Sequence, residues 1–372
     1  MGEASTAPAT SAPTLIAGGG LAGAAAACLL GPHATLYERE PAPHDKVCGE
    51  FISWEAQDSL RALGIDVATL GAAPIDAVRL IHGATIARAP LPGRGMGLSR
   101  RILDTAVLAR AELNGARIHR GHTVRRITQT GLELDGLPAA HAPRILLATG
   151  KHDLRGARRE TPPGPLLGLK MIYRLAPDEA EALAGHVEII LFPGGYAGLQ
   201  PIEDGRANLC LLIATKTFNQ VGNTWPGVLS HLRQSAPHLA RRLHAAHEQL
   251  DRPPAIAAIP YGFIHTPTPT DPPNVIRLGD QMAVIPSFSG DGMAIALHTA
   301  LAAARAPSPA ACHAQLRRTL RPQITRAMRL HDLGQSHPAL ITQAARLCPA
   351  ALTWIARLTR VNTALSVRER VG

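Results

Sequence analysis

A cluster of glycines near the start of the chain has the spacing of a phosphate-binding turn. Residues 18–23 read Gly-Gly-Gly-Leu-Ala-Gly, which matches the pattern G-x-G-x-x-G. An apolar run at 14–17 precedes the turn, and an alanine-rich segment continues to Leu30. A second apolar run at 34–37 ends in Glu38, about twenty residues after the first glycine. This order predicts strand, turn, helix and strand, which is the arrangement of a dinucleotide-binding unit.

Each glycine of this turn has its own physical task. Gly18 permits the tight turn, Gly20 lets the backbone approach a pyrophosphate, and Gly23 lets the helix pack against the strand. The helix that follows points the positive end of its dipole at the anion. Glu38 can accept hydrogen bonds from the hydroxyls of an adenosine ribose. The pattern leaves open whether the nucleotide is NAD or FAD.

A second motif, far along the chain, favours FAD. The strand-like run 274–278 ends in Gly279 and Asp280, and a loop with a proline then leads to Gly290, Gly292 and an amphipathic segment. A carboxylate at the end of such a strand can hold a hydroxyl of a ribityl chain. A helix N-terminus under a flavin ring stabilises the negative charge of the reduced ring. Together with the N-terminal unit, this motif predicts one FAD site built from both ends of the chain.

The ordered motifs of the chain resemble those of a known family. They are the segments 18–23 with 38–39, 46–50, 99–104, 148–150 and 279–293. Over residues 14–305 they are similar to the geranylgeranyl-reductase-like FAD oxidoreductases, relatives of para-hydroxybenzoate hydroxylase and the other class A flavoprotein monooxygenases. These motifs are specific for FAD and much less specific for a substrate.

The resemblance implies roles for several residues. Glu38 and Arg39 would hold the adenosine end of FAD, Arg100 the pyrophosphate, and the backbone of Val124 the adenine. Asp280 would bind the ribityl chain. The full set of cofactor-binding residues that the resemblance and the two motifs predict is Gly18, Gly20, Leu21, Ala22, Gly23, Glu38, Arg39, Lys46, Cys48, Gly49, Arg100, Val124, Thr149, Gly150, Gly279, Asp280, Gly290, Gly292 and Met293.

The sequence lacks three motifs that occur in related flavoproteins, and each absence limits the reactions expected of this chain. The Asp-Gly pair that aromatic hydroxylases carry after the Ala-Thr-Gly strand is missing from the segment 148–156, which puts direct use of NAD(P)H in doubt. The Trp-x-Trp-x-Ile-Pro signature of flavin halogenases is also missing, which argues against halogenation. Since no second G-x-G-x-x-G motif is present, we expect NAD(P)H to dock only transiently as an electron donor.

The middle of the chain predicts an antiparallel sheet that would form one wall of a substrate pocket. Short alternating apolar runs between 167 and 215, separated by glycine and proline turns, predict an antiparallel sheet. The segment 192–199 reads either as a loop that closes the pocket or as an ordinary hairpin turn. The aromatic residues expected in the substrate pocket are Trp54, Phe192, Tyr196 and Phe288.

Composition excludes several classes of protein. Of 38 basic residues only four are lysines, and no basic run with interleaved aromatics occurs, so nucleic-acid binding is not expected. Five separated cysteines argue against a disulfide framework or a structural metal and favour a cytoplasmic location. Residues 1–13 predict a disordered arm. An apolar stripe at about 350–365 could lie on a membrane surface, although such stripes more often pack on the protein itself.

We therefore predict an α/β protein with a glutathione-reductase-like Rossmann FAD domain, an interleaved antiparallel-sheet substrate domain and a C-terminal helical cap. The FAD domain would comprise 14–78, 100–156 and 260–308, the substrate domain 79–99 and 157–259, and the cap 309–372. The expected function is an FAD-dependent monooxygenase or related oxidoreductase acting on a hydrophobic, aromatic or polyketide-like molecule of secondary metabolism, with a separate reductase as an optional partner. The alternatives are a reductase of prenyl-chain double bonds and a non-catalytic flavin-binding partner protein.

Overall fold

The computed structural model describes residues 12–160 and 164–361, so most of the predicted N-terminal arm lies outside the described residues. The strands are β1 (Thr14–Ala17), β2 (Ala34–Glu38), β3 (Phe51–Ile52), β4 (Ala73–His82), β5 (Thr85–Gly97), β6 (Arg117–Arg120), β7 (Val124–Ile127), β8 (Gly131–Leu134), β9 (Ala140–His141), β10 (Arg144–Leu147), β11 (Leu166–Arg174), β12 (Gly185–Phe192), β13 (Gly195–Pro201), β14 (Ala207–Ala214), β15 (His247–Glu248), β16 (Ala255–Ile256) and β17 (Val275–Arg277). The helices are α1 (Leu21–Leu30), α2 (Trp54–Ala62), α3 (Arg100–Leu113), α4 (Pro177–Leu183), α5 (Thr215–Gln220), α6 (Trp225–Ser235), α7 (Pro237–Arg242), α8 (Gly292–Arg305), α9 (Pro309–Ser336), α10 (Pro338–Leu347) and α11 (Pro349–Leu358).

The first sheet is parallel and has the strand order β17-β10-β1-β2-β6. Its central strand β1 is buried along its whole length, as expected for a strand covered on both faces. The chain leaves β1 through α1 and returns in β2, so the order reverses beside β1, where such sheets place their ligands. The Rossmann unit predicted from the glycine motif is confirmed.

The alanine-rich helix α1 lies at the centre of the first domain. Nine of its ten residues are buried, and its neighbours include α3 and α8. Small side chains allow this close approach. At Gly23 even a methyl group is excluded, because a Cβ there would lie 2.0 Å from the carbonyl oxygen of Gly18.

A nine-stranded sheet forms the second layer, in which β16 pairs with β11 and the other strands follow the order β15-β11-β14-β13-β12-β4-β5-β3. All its pairs are antiparallel except β12 with β4. The sheet includes β4 from Ala73 onward, whereas the sequence placed the change of domain at residue 79. Strands β12 and β13 form a hairpin across residues 193 and 194, so the segment 192–199 is a hairpin and the loop interpretation was wrong.

Three helices form the C-terminal part of the described chain. Each has a proline at its first position, Pro309, Pro338 or Pro349, where a missing N–H is tolerated. Helix α10 packs on β4 and β5, and α11 packs on β5. No single helix of 12–160 and 164–361 is long and apolar enough to cross a membrane; α10 and α11, bent by 111°, meet that test only as a pair.

Candidate active site

One large cavity of about 960 Å³ lies between the parallel sheet and the nine-stranded sheet, and Val124 of the small antiparallel sheet β7-β8-β9 also lines it. On one side it is lined by residues at the carboxyl ends of β1, β2, β10 and β17, which meet at one edge of the parallel sheet. On the other side it is lined by the face of the second sheet and by α11. This volume is near the upper limit of about 1,000 Å³ for small-molecule sites, so it has room for an extended ligand.

The glycine turn forms one end of the cavity. Gly18 has φ 105°, and a Cβ there would lie 2.5 Å from the carbonyl oxygen of Ala148, so only glycine fits. Gly20 caps α1, and a Cβ built on it would point toward the side-chain nitrogens of Lys46 and Arg100, each 3.7 Å away. The turn therefore leaves a space between a helix N-terminus and two cations, which suits a pyrophosphate.

Glu38 is held beside this turn by backbone groups. Its Oε2 accepts from the N–H of Gly19 at 2.6 Å and its Oε1 from the N–H of Glu40 at 3.0 Å. Only 8% of the residue is exposed. Since each carboxylate oxygen has further acceptor capacity, Glu38 can also bind two ribose hydroxyls.

Two cations and one carboxylate lie beyond Gly20. Asp104 accepts from Lys46 at 2.9 Å and, through both oxygens, from Arg100 at 2.7 and 2.9 Å. Burial acts to raise the pKa of Asp104, but the charges of Arg100 and Lys46 outweigh burial and lower it. Since Asp104 stays ionised, the group carries a net charge of +1 toward the space in front of Gly20. Such a charge attracts phosphate.

Asp280 is paired in a way that the sequence did not indicate. Its Oδ2 accepts from Lys151 Nζ at 2.8 Å, and both residues line the cavity. Lys151 directly follows Gly150, within the segment that lacks the expected Asp-Gly pair. Burial acts to lower the pKa of Lys151, but Asp280 outweighs burial and raises it, so the ammonium stays charged. The signal in the sequence was a rare lysine that directly follows Gly150, four residues after the end of β10.

The N-terminus of α8 opens onto the same cavity. Gly290 has φ 72°, and a Cβ there would lie 2.8 Å from the Phe51 ring. Asp291 precedes the helix and accepts from Arg360 at 2.8 Å; burial raises its pKa to about 6, although Arg360 acts in the opposite direction. The positive end of the helix dipole can therefore stabilise an anion in the cavity.

Aromatic and aliphatic side chains form the other end of the cavity. Tyr196 and Phe288 line it as expected, with ring centroids 6.5 Å apart, and the hydroxyls of Tyr261 and Ser287 hydrogen-bond each other. Its further apolar residues include Val78, Leu91, Val187, Ile189, Leu212, Ile259, Val284, Leu352 and Ile355.

Two predicted pocket residues lie elsewhere. Phe192 is on the opposite face of β12 from Ile189 and packs in a separate core, where its ring meets that of His231. A one-residue step along a strand reverses the face, which the sequence pattern did not resolve. Trp54 lies under the guanidinium of Arg360, 4.8 Å from its ring centroid, outside the cavity lining.

All the predicted cofactor-binding residues except Gly23 line the cavity. Gly23 lies behind the turn, where it allows the helix to pack on the strand. The donors and acceptors at this end fit a dinucleotide: a glycine cradle, cations for phosphates, and one carboxylate for each of two sugar-like chains. Among the described residues, no group of three or more histidine, cysteine, aspartate or glutamate side chains is arranged to hold a metal ion.

Comparison with solved structures gives the same fold at low sequence identity. A flavin-dependent brominase, Bmp2, is 16% identical with a TM-score of 0.76, over 94% of this chain and 93% of that chain. A geranylgeranyl bacteriochlorophyll reductase-like protein from Thermoplasma acidophilum is 15% identical with a TM-score of 0.68, over 96% and 95%. The halogenase PltM, solved with phloroglucinol and FAD, is 13% identical with a TM-score of 0.70, over 88% and 77%. No family model and no curated protein matches the sequence.

Proposed function

We propose that this chain is an FAD-dependent oxidoreductase acting on a hydrophobic small molecule. The observation that carries the proposal is one continuous cavity with two chemically different ends. One end has the donors and acceptors for a dinucleotide, and the other has an aromatic and aliphatic wall. The shared fold with flavoproteins supports FAD as the dinucleotide, since one of those structures contains it.

The residues of the cavity would divide the binding of FAD among them. Glu38 would hold the adenosine ribose, Lys46 and Arg100 the pyrophosphate, and Asp280 the ribityl chain. When bound, FAD supplies two-electron oxidation and reduction and, in its reduced form, reactivity toward oxygen. The N-terminus of α8 would stabilise the negative charge that reduction adds.

The chain itself would position the substrate and exclude water. Tyr196, Tyr261 and Phe288 provide flat apolar surfaces, which favour an aromatic or polyketide-like substrate over a polar one. Helix α11 contributes Leu352 and Ile355 to the same wall. We infer monooxygenation as the reaction, with NAD(P)H or a separate reductase as the electron source.

FAD uptake is the first test. Purified protein is titrated with FAD, and binding is followed by the visible absorption and by the fluorescence of the flavin. We expect Glu38→Ala and Asp280→Ala to weaken binding about tenfold or more, because each removes a charge-assisted contact. Asp135→Ala is the matched control, since Asp135 pairs with Arg125 on the exposed surface. A protein that takes up no FAD would overturn the proposal.

Oxygen dependence separates the reactions that remain. FAD-loaded protein is reduced without oxygen and then given candidate aromatic or prenyl substrates, with and without air and with and without bromide. An oxygenated product that requires air supports monooxygenation, and saturation of a double bond without air supports a prenyl reductase. A product that requires bromide supports halogenation, and no product with any substrate favours a binding protein.

A further inference from the structure

Glu50 occupies an unusual position in the wall of the cavity. It directly follows the segment 46–49, its side chain is completely buried, and its φ is 61°. Glutamate rarely adopts this left-handed backbone conformation, and such positions concentrate where a site requires a specific geometry. The contacts of the side chain show what this geometry positions.

The two carboxylate oxygens of Glu50 have different surroundings. Oε1 accepts from Lys170 Nζ at 2.5 Å and from the backbone N–H of Arg100 at 2.9 Å. Oε2 is buried and has no hydrogen-bond partner among the described residues. Burying an ionised carboxylate with one oxygen unpaired costs more than burying the neutral acid, so this environment favours the protonated form.

Lys170 connects Glu50 to Asp45, a second carboxylate that lines the cavity. Its Nζ also donates to Asp45 at 3.0 Å, and the Asp45 side chain is 14% exposed while Lys170 is completely buried. Two carboxylates therefore share one ammonium ion, and the acid deeper in the protein is the one less able to stay ionised. This chain of groups runs from the cavity wall to solvent.

The electrostatic surroundings of Glu50 allow its charge to change near neutral pH. Burial raises the pKa of Glu50 to about 7; Lys170 and the N–H of Arg100 act to lower it, and Asp45 acts to raise it. The thiol of Cys210 on β14 also faces this cluster, and burial raises its pKa to about 12, so it stays neutral. Because burial and a specific partner act together in a cavity, Glu50 has the signature of a functional acid.

We propose that Glu50 is the proton-storing carboxyl of this cavity, taking up a proton when the bound cofactor is reduced and releasing it when the electrons leave. This inference rests on the proposed binding of FAD. Two electrons come from the external reductant, and the proton comes from a buffer acid in solvent, which is left as its conjugate base, by way of the partly exposed Asp45. An O–H bond forms on Glu50. When the electrons pass to substrate or oxygen, that bond breaks and its proton goes to the atom that received them.

Proton uptake on reduction tests the assignment. FAD-loaded protein is photoreduced without oxygen in weakly buffered solution between pH 7 and 8.5, and the protons taken up per two electrons are counted with a pH-sensitive dye. We expect Glu50→Gln to take up fewer protons than the wild type, by up to about one, and to lose the pH dependence of the difference. Glu203→Gln should behave as the wild type. Glu203 is likewise buried and accepts from the N–H of Ser99, beside Arg100, but it lies outside the cavity lining.

Infrared spectroscopy provides a second measurement, which keeps the test valid if Glu50→Gln does not fold. In reduced-minus-oxidised difference spectra, the wild type should gain a band of a protonated carboxyl group, and Lys170→Met should extend this protonation to higher pH. Equal proton uptake by FAD-loaded wild type and Glu50→Gln, or a wild-type spectrum without the band, would overturn this inference alone. A protein that binds no FAD would overturn the proposed function as well.

Discussion

At the end of the cavity proposed to hold the nucleotide (the nucleotide end), the ligand-facing groups are backbone atoms of the glycine turn and charged side chains such as Glu38, Arg100 and Asp280. At the end proposed to hold the substrate (the substrate end), they are by contrast mainly apolar side chains, several of them from β12, β13, β14 and α11. The first end depends on backbone positions that only particular residues allow, such as Gly18. The second depends on which face of a strand each side chain occupies. Substitutions at the two ends should therefore have different effects. Those at the nucleotide end should impair folding or cofactor binding, and those at the substrate end should weaken the sheet or change access to the cavity.

Breaking the glycine turn should have the largest effect. Gly18→Ala places a Cβ 2.5 Å from the carbonyl oxygen of Ala148 at a φ of 105°, and we expect it to lower the free energy of unfolding by about 4 kcal/mol. Gly20→Ala is the matched variant, because its Cβ has space, with the nearest atoms 3.7 Å away. It should unfold in urea like the wild type yet bind FAD more weakly. Equal stability of both variants would contradict this account of the turn.

The sheet behind the substrate end depends on a buried carboxylate. Burial acts to raise the pKa of Glu188, but hydrogen bonds from His238 and Arg242 outweigh burial and lower it to about 2. A folded-state pKa below the usual value means that ionised Glu188 stabilises the fold above about pH 4.5, and this contribution is lost as the pH falls toward 2. At about 1.4 kcal/mol per pKa unit, the loss is about 3 kcal/mol.

Urea unfolding at pH 6 and pH 2.5 measures this contribution. Glu188→Gln should lose about 3 kcal/mol less than the wild type between the two pH values, because it has no carboxylate to protonate. The control is Glu133→Gln, whose exposed partner is Arg126. If Glu188→Gln and Glu133→Gln showed the same pH dependence, the network would not contribute as described. At pH 7, Glu188→Gln should bind FAD about as tightly as the wild type, because Glu188 does not contribute to the nucleotide end.

Removing one cation at the nucleotide end should weaken FAD binding without unfolding the protein. Lys46→Met leaves Arg100 to neutralise Asp104, so the space before Gly20 loses its net positive charge. We expect about a tenfold loss of affinity, equal to about 1.4 kcal/mol, and a weaker dependence of binding on salt. Lys216→Met, at an exposed position on α5, controls for the loss of a lysine. An unchanged affinity would remove Lys46 from the phosphate site.

The smallest expected effect concerns α11, the helix that lines the substrate end of the cavity. Arg360→Gln removes the ion pair with Asp291 that ties the segment after α11 to the start of α8, and we expect the effect to stay local to these two elements. Hydrogen exchange should become faster in 349–358 and stay unchanged in 14–38. Arg357→Gln, at an exposed position of the same helix, should exchange like the wild type. Faster exchange in both 349–358 and 14–38 would show that the two ends of the cavity are not independent.

Much of the fold was predictable from local signals, and the misses have a common cause. The runs at 14–17 and 34–37 were correctly predicted as β1 and β2, because their apolar residues, the glycines of the turn and the acidic residue at the end of the second run all indicate the same structure. The segment 192–199 was ambiguous, because a glycine pair suits both a pocket loop and a hairpin turn. Phe192 was misplaced because its aromatic character says nothing about which face of β12 is turned toward the cavity.

The sequence by itself determined the dinucleotide end, since a phosphate-binding turn is made of neighbouring residues whose backbone angles depend on residue type. Gly18, Gly20 and Glu38 could be named for that reason. Only the tertiary structure decided the partners of Asp280 and Glu50. Lys151 and Lys170 lie 129 and 120 residues away from them in the chain. Pairing across such separations depends on how two sheets pack against each other, and local sequence patterns do not predict that packing.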